Sequence, residues 1–204
     1  MLAKMIKAFK DYVLTNNRYP SSVYEFCKEN KLKENDFYSK YNSFEALEKE
    51  WVQSIFVKVT DTLKKDENFD NYSSREKLLA LFYAWTEMAL AERSMLMFLA
   101  KDNAVQTQMG LKPLKMHFNE FVKHILDMAL ATGEIQERKF ISDKYYHALW
   151  AQFLLIHKHW IDDKSKGFEK TDAFIEKTTT LAFDLMGQSA LDSAIDLAKF
   201  MFQR

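Results

Sequence analysis

Apolar residues recur every three to four positions along almost the whole chain, the period of helices that bury one face. Leu2, Met5, Ile6, Phe9 and Val13 share one side of a first helix predicted over 2–15. Asn16, Asn17, Arg18 and Tyr19 lead into Pro20, which cannot continue a helix, so Ser21 or Ser22 caps the next one. Two short helices follow, over 22–30 and 33–41, with a tight joint at Asn30, Lys31 and Leu32. The first turns Val23, Phe26 and Cys27 inward, and the second turns in Phe37, Tyr38 and Tyr41. Ser43 caps a longer fourth helix running to about residue 65, and Glu45 places negative charge at its positive end. Its stripe is Leu47, Trp51, Val52, Ile55, Phe56, Val59 and Leu63.

After a polar break at 64–74 the helical period resumes over 74–92, 94–109, 113–132, 143–162, 171–186 and 189–204. Gly133 stops the third of these. The segment 143–162 is apolar nearly all round, through Tyr146, Leu149, Trp150, Phe153, Leu154, Leu155, Ile156 and Trp160. A helix without a polar face needs burial on several sides, which a symmetric homodimer supplies. In the last segment Leu191, Ala194, Ile195, Ala198 and Phe202 form one face, opposite Asp192, Asp196, Lys199 and Gln203. That stripe docks on the rest of the chain. The competing reading, membrane contact through Phe200, Met201 and Phe202, is weakened because one Lys and one Arg only offset two Asp.

Composition narrows this picture to an all-α protein. Four Gly and two Pro in 204 residues exclude a turn-rich β fold. With 48% apolar and 28% charged residues the chain is an ordinary globular one, and the net charge of zero excludes a strongly basic nucleic-acid binder. Residues 1–49 carry nine Lys/Arg against seven Asp/Glu, a slight basic bias confined to the first quarter. The single cysteine, Cys27, permits no internal disulfide and fits a reducing cytoplasm. Lys4, Lys7 and Lys10 interrupt any signal peptide, and no run approaches the roughly 20 apolar residues of a membrane span. His117 and His124 lie two turns apart on one face, while His157 and His159 point different ways. Without H-E-x-x-H or a Cys/His cluster, no metal site and no cofactor are expected. No nucleophile elbow, phosphate loop or dinucleotide fingerprint occurs, so an enzyme is not expected.

The run Tyr19, Pro20, Ser21, Ser22, Val23, then Leu32, then Phe37, Tyr38, Ser39, Lys40, Tyr41 and Ser43, Phe44, Glu45, Ala46, Leu47 resembles the DNA-binding region of the tetracycline-repressor (TetR) family, with gapless spacing from Ser22 to Leu47. The departures are specific. Asn30 and Lys31 replace the family's Ala-Gly in the turn, Lys33, Glu34 and Asn35 replace Ser-x-Gly, and Phe44 replaces a basic residue. Gly133, Glu134 and Ile135 ahead of a bulky helix, an acidic loop and a further helix is also similar to TetR-like bodies.

The resemblance implies a TetR-like all-α fold: a helix-turn-helix head over 1–50 and a ligand-binding and dimerisation bundle over 51–204. It implies Ser22, Lys33, Asn35, Tyr38 and Lys40 as contacts to double-stranded DNA. It implies a hydrophobic small molecule in the bundle, near Trp85, Met88, Met95, Phe98, Phe118, Phe121 and Trp150. It also implies a homodimer interface involving Trp150, Phe153, Leu154, His157, Phe174, Thr178 and Leu181. Two functions stay open: a ligand-responsive transcriptional regulator, or a TetR-fold lipid or isoprenoid carrier that has left DNA, similar to lipid-binding proteins of ubiquinone biosynthesis. The carrier reading draws on Glu34 and Asp36 at the start of the second short helix, where carboxylates facing phosphates weaken binding, on Phe44 in place of the basic residue, on the near-zero net charge and on the added last helix.

Overall fold

The computed structural model describes residues 2–100, 110–138 and 142–187, and among them every regular element is helical. Four helices build the N-terminal part: α1 (Leu2–Asn16), α2 (Val23–Glu29), α3 (Glu34–Tyr38) and α4 (Phe44–Lys65). Ser22 caps α2 by accepting from the Glu25 amide at 3.1 Å, and Ser43 caps α4 through the Ala46 amide at 3.2 Å. The second short helix is shorter than its apolar pattern indicated. It ends at Tyr38, and Ser39 and Lys40 turn the chain so that the Tyr41 amide reaches the Phe37 carbonyl at 2.8 Å.

A helix of five residues cannot hold itself. Four phenylalanines hold it instead. Phe44 stacks on Phe9 at 5.5 Å and meets the edges of Phe26 and Phe37 at 5.4 and 5.3 Å, while Phe26 and Phe37 lie 6.2 Å apart. Edge-to-face pairs of this kind add roughly 0.5–1.5 kcal/mol each beyond their burial. Phe44, which stands where the family pattern has a basic residue, is therefore a wall of this cluster.

The larger bundle contains α5 (Ser74–Leu90), α6 (Arg93–Leu99), α7 (Lys115–Thr132), α8 (Tyr145–Asp162) and α9 (Glu169–Met186). Ser73 and Glu76 cap α5 reciprocally, and Gly133, left-handed at φ 76°, closes α7. Phe56 of α4, Trp85 of α5, Phe118 of α7 and Phe153 of α8 meet at the centre, with Phe118 and Phe153 5.0 Å apart. Arg93 ties α6 to the far end of α8. Its guanidinium donates to the Trp160 and Ile161 carbonyls at 2.7 and 2.9 Å and lies between the rings of Trp160 and Phe168. The two parts touch through Lys10 and Glu92, 2.5 Å apart, and through Tyr19 against Phe98 at 5.4 Å.

The expected helix over 94–109 is observed as α6 up to Leu99, with Ala100 non-helical; 101–109 lie outside the described residues, as does the last expected helix over 189–204. The helix over 143–162 is not enclosed all round: Leu155 is 59% exposed. Among the described residues no helix is long and apolar enough to cross a membrane.

The α2–α3 turn places Lys31 at φ 53°, the left-handed region that disfavours a side chain. Lys31→Gly, restoring the residue of the family pattern, is expected to raise stability by about 1 kcal/mol in urea denaturation.

Candidate functional site

The outward side of the N-terminal part is built on α3. Phe37 points into the aromatic cluster, so Asn35 and Tyr38, three positions apart, share the face turned to solvent. Tyr38 is 55% exposed, its ring edge resting on Phe37 at 5.6 Å. Lys33 and Lys40, both exposed, flank this face at its two ends. Ser22 is exposed as well, but its hydroxyl is engaged in capping α2. Tyr41 is buried, and burial together with the Glu50 charge pushes its phenol up to about 12.

Glu34 and Asp36 behave differently from their neighbours. Both are half-buried, and they lie near enough to Cys27 that their charges, added to the larger effect of burial, raise the thiol's pKa. The exposed charges in the turn before α3 and at its two ends are lysines, while Glu29 of α2 and Glu45 of α4 are exposed nearby. Residues not anticipated from the pattern extend the same surface. Tyr24 of α2 is exposed with the Lys28 ammonium 5.8 Å from its ring, and Lys31 is exposed in the turn. Their i, i+4 spacing opposite Phe26 and Cys27 was the available signal.

In the bundle, α8 buries its rings inward. The Trp85 indole N–H donates to His157 Nδ1 at 3.2 Å, and burial, with a smaller contribution from the Arg93 charge, holds this imidazole down at about 3. The outer face of α8 and α9 is left with Ala148, Ala151, Leu155, Leu181 and Leu185 exposed. Among the described residues no group of three His, Cys, Asp or Glu side chains is placed to hold a metal ion.

A family model described as tetracyclin repressor-like, C-terminal domain, matches residues 77–201 of the 204. The chain belongs to the tetracycline repressor-like family. Comparison with curated proteins finds no match, and comparison with solved structures finds none.

Within this tetracycline repressor-like bundle the residues expected around one hydrophobic ligand occupy different places. Trp85, Met95, Phe118 and Trp150 are buried in the core, where Trp150 contacts Phe118 and Phe153 at 5.2 and 5.4 Å. Met88 is half-buried against that core. Phe98 meets Tyr19 at the junction with the N-terminal helices, and Phe121 lines an outer cleft. The seven share chemistry but not a wall, because helical spacing does not say which of two apolar faces a ring takes.

The residues expected at a dimer interface are likewise divided between the interior and the surface of the protomer. Trp150, Phe153 and His157 are buried within their own protomer. Leu154 and Phe174 are half-buried, the latter stacked on His159 at 4.6 Å, and Thr178 pairs with Gln152 at 3.2 Å. Leu181, 56% exposed, is available to a partner.

His157 makes stability pH-dependent. Its pKa is lower folded than the ordinary value of about 6.5 unfolded, so stability falls as pH drops below about 6.5 and continues to fall toward 3. Between pH 7 and pH 5 denaturation is expected to show a loss of about 2 kcal/mol from this group, absent in His157→Gln.

Proposed function

We propose that the protein is a transcriptional regulator that binds double-stranded DNA as a homodimer. Residues 1–50 serve as a helix-turn-helix DNA-binding unit, and residues 51–204 serve dimerisation and effector binding. The observation that carries this reading is the outward face of α3: Asn35 and Tyr38 exposed between Lys33 and Lys40, with the carboxylates of Glu34 and Asp36 half-buried. Asn35 reads adenine or a phosphate, Lys33 and Lys40 neutralise phosphates, and Tyr38 lies against the backbone. Lys28 and Lys31 extend the positive surface, and Ser22 contributes through its position beside the phosphates rather than its occupied hydroxyl.

Two such faces reach successive major grooves when two bundles pair through α8 and α9. The exposed Leu155, Leu181 and Leu185 are the apolar groups that pairing buries. A small molecule in the bundle then tunes DNA affinity by favouring one spacing of the heads over another. The carrier reading is supported less, because the two carboxylates behind it are not the outermost groups of α3.

Selection from random duplex DNA at about 50 and about 200 mM salt tests the proposal. A palindromic site with half-sites about one helical turn or a multiple apart is expected. Asn35→Ala should cost about 1–3 kcal/mol at one base position, whereas Lys40→Ala should weaken all sequences alike and lower the salt slope by about 1. Absence of any DNA binding at the lower salt contradicts the reading. Leu155→Asp combined with Leu181→Asp should give monomers by light scattering; a persistent dimer places the interface elsewhere.

A further inference from the structure

Helix α9 ends at Met186, and the chain leaves it at a fixed point. Gly187 is extended, at φ −79° and ψ −170°, while its amide still donates to the Phe183 carbonyl at 2.7 Å. The Arg138 guanidinium donates to the Met186 and Gly187 carbonyls at 3.1 and 2.6 Å, and the Gln136 amide donates to Met186 at 2.9 Å. One flank of α9 is turned away from its own bundle. Phe174 and Thr178 are half-buried on it, and Leu181 and Leu185 are exposed. Steps of four, three and four residues make these positions a seam that packs on a second helix. Helix α8 borders the seam, with Gln152 bonded to Thr178 and His159 stacked on Phe174. Its neighbouring turns expose Ala148, Ala151 and Leu155, small or aliphatic side chains beside which a further helix can lie closely.

Beyond this exit the sequence predicts a helix over 189–204, outside the described residues, with a stripe of its own. Leu191, Ile195, Ala198 and Phe202 repeat the steps of four, three and four. The two seams mirror each other about position 188. Leu185, Leu181, Thr178 and Phe174 stand 3, 7, 10 and 14 positions before it, and Leu191, Ile195, Ala198 and Phe202 stand 3, 7, 10 and 14 positions after it. In two antiparallel helices, positions equally far from the connection lie level with each other. Residues 187–189 form a connection of the short length that joins antiparallel neighbours. At 1.5 Å per residue the segment 189–204 spans roughly 24 Å, against roughly 27 Å for the 18 residues of α9.

We propose that segment 189–204 folds back along α9 of its own chain and covers the flank that bears Leu181 and Leu185. Leu191 then lies level with Leu185, Ile195 with Leu181, Ala198 with Thr178 and Phe202 with Phe174. Asp192, Asp196, Lys199 and Gln203, opposite the stripe, stay in water. The covered flank is the one through which two bundles pair in the proposed function, so the segment and a second copy compete for it. Both protomers must uncover the flank before they pair, and the apparent affinity of pairing falls with the square of the uncovered fraction. The chain thereby carries its own inhibitor of dimerisation, and with it of two-headed DNA binding. This regulatory consequence rests on the dimeric reading; the docking does not.

The docking is tested in the full chain by combining Leu181→Cys with Ile195→Cys under mild oxidation; the native Cys27 is buried. A disulfide within one chain is expected, formed at least about tenfold faster than in Leu181→Cys with Asp196→Cys, whose second cysteine lies on the water-facing side. A link between two chains, equal rates from the two pairs, or no link overturns the docking. The competition is tested with Ile195→Asp and Phe202→Asp together, which leave every residue of α8 and α9 unchanged. Sedimentation is expected to show this variant dimerising at least about tenfold more tightly than the parent. A variant that pairs no more tightly overturns the competition. If parent and variant both stay monomeric, the dimeric reading fails with it, while the disulfide result stands; a missing disulfide in a protein that dimerises leaves the dimeric reading untouched.

Discussion

The short helix α3 exists because four phenylalanine rings converge beneath it. Five residues supply too few backbone hydrogen bonds to persist alone, so the orientation of Asn35 and Tyr38 is set by Phe37 seated among Phe9, Phe26 and Phe44. Phe44 links two parts of the account. At its position a basic residue would contact DNA in the family pattern; here the side chain supports the helix whose outer face is proposed to do so. Where the family pattern has a basic residue this chain has a ring that braces α3, and Lys28, Lys31, Lys33 and Lys40 are exposed basic residues nearby.

The cluster extends into the bundle along α4. The helix starts at Phe44, places Phe56 in the central aromatic core beside Trp85, Phe118 and Phe153, and ends at Lys65. At 1.5 Å per residue its 22 residues span roughly 33 Å. A second connection runs through α6, where Glu92 holds Lys10, Phe98 meets Tyr19, and Arg93 is anchored on the end of α8. A ligand changes DNA affinity only if it binds one arrangement of these connections better than another. Both connections end on groups whose spacing depends on how α4 and α6 sit against the core.

The sequence made the helical architecture legible because caps and periodicity act locally. Ser22, Ser43 and Gly133 mark ends that the structure keeps within a few residues. Sidedness was less legible. Helix α8 is apolar on two faces, so its pattern did not say that Trp150, Phe153 and His157 would turn inward and leave Leu155 outside. The same ambiguity scattered Trp85, Phe98 and Phe121 over a core, a junction and a cleft.

The central claim is that the face of α3 bearing Tyr38 meets DNA. Photo-crosslinking from a benzophenone side chain at position 38 tests it most directly, with the same group at position 68, in the exposed loop after α4, as the control. At about 50 mM salt, position 38 is expected to crosslink to duplex DNA and position 68 not, and the yield should fall sharply at about 200 mM. No crosslink from position 38, or equal yields from both positions, would contradict the account.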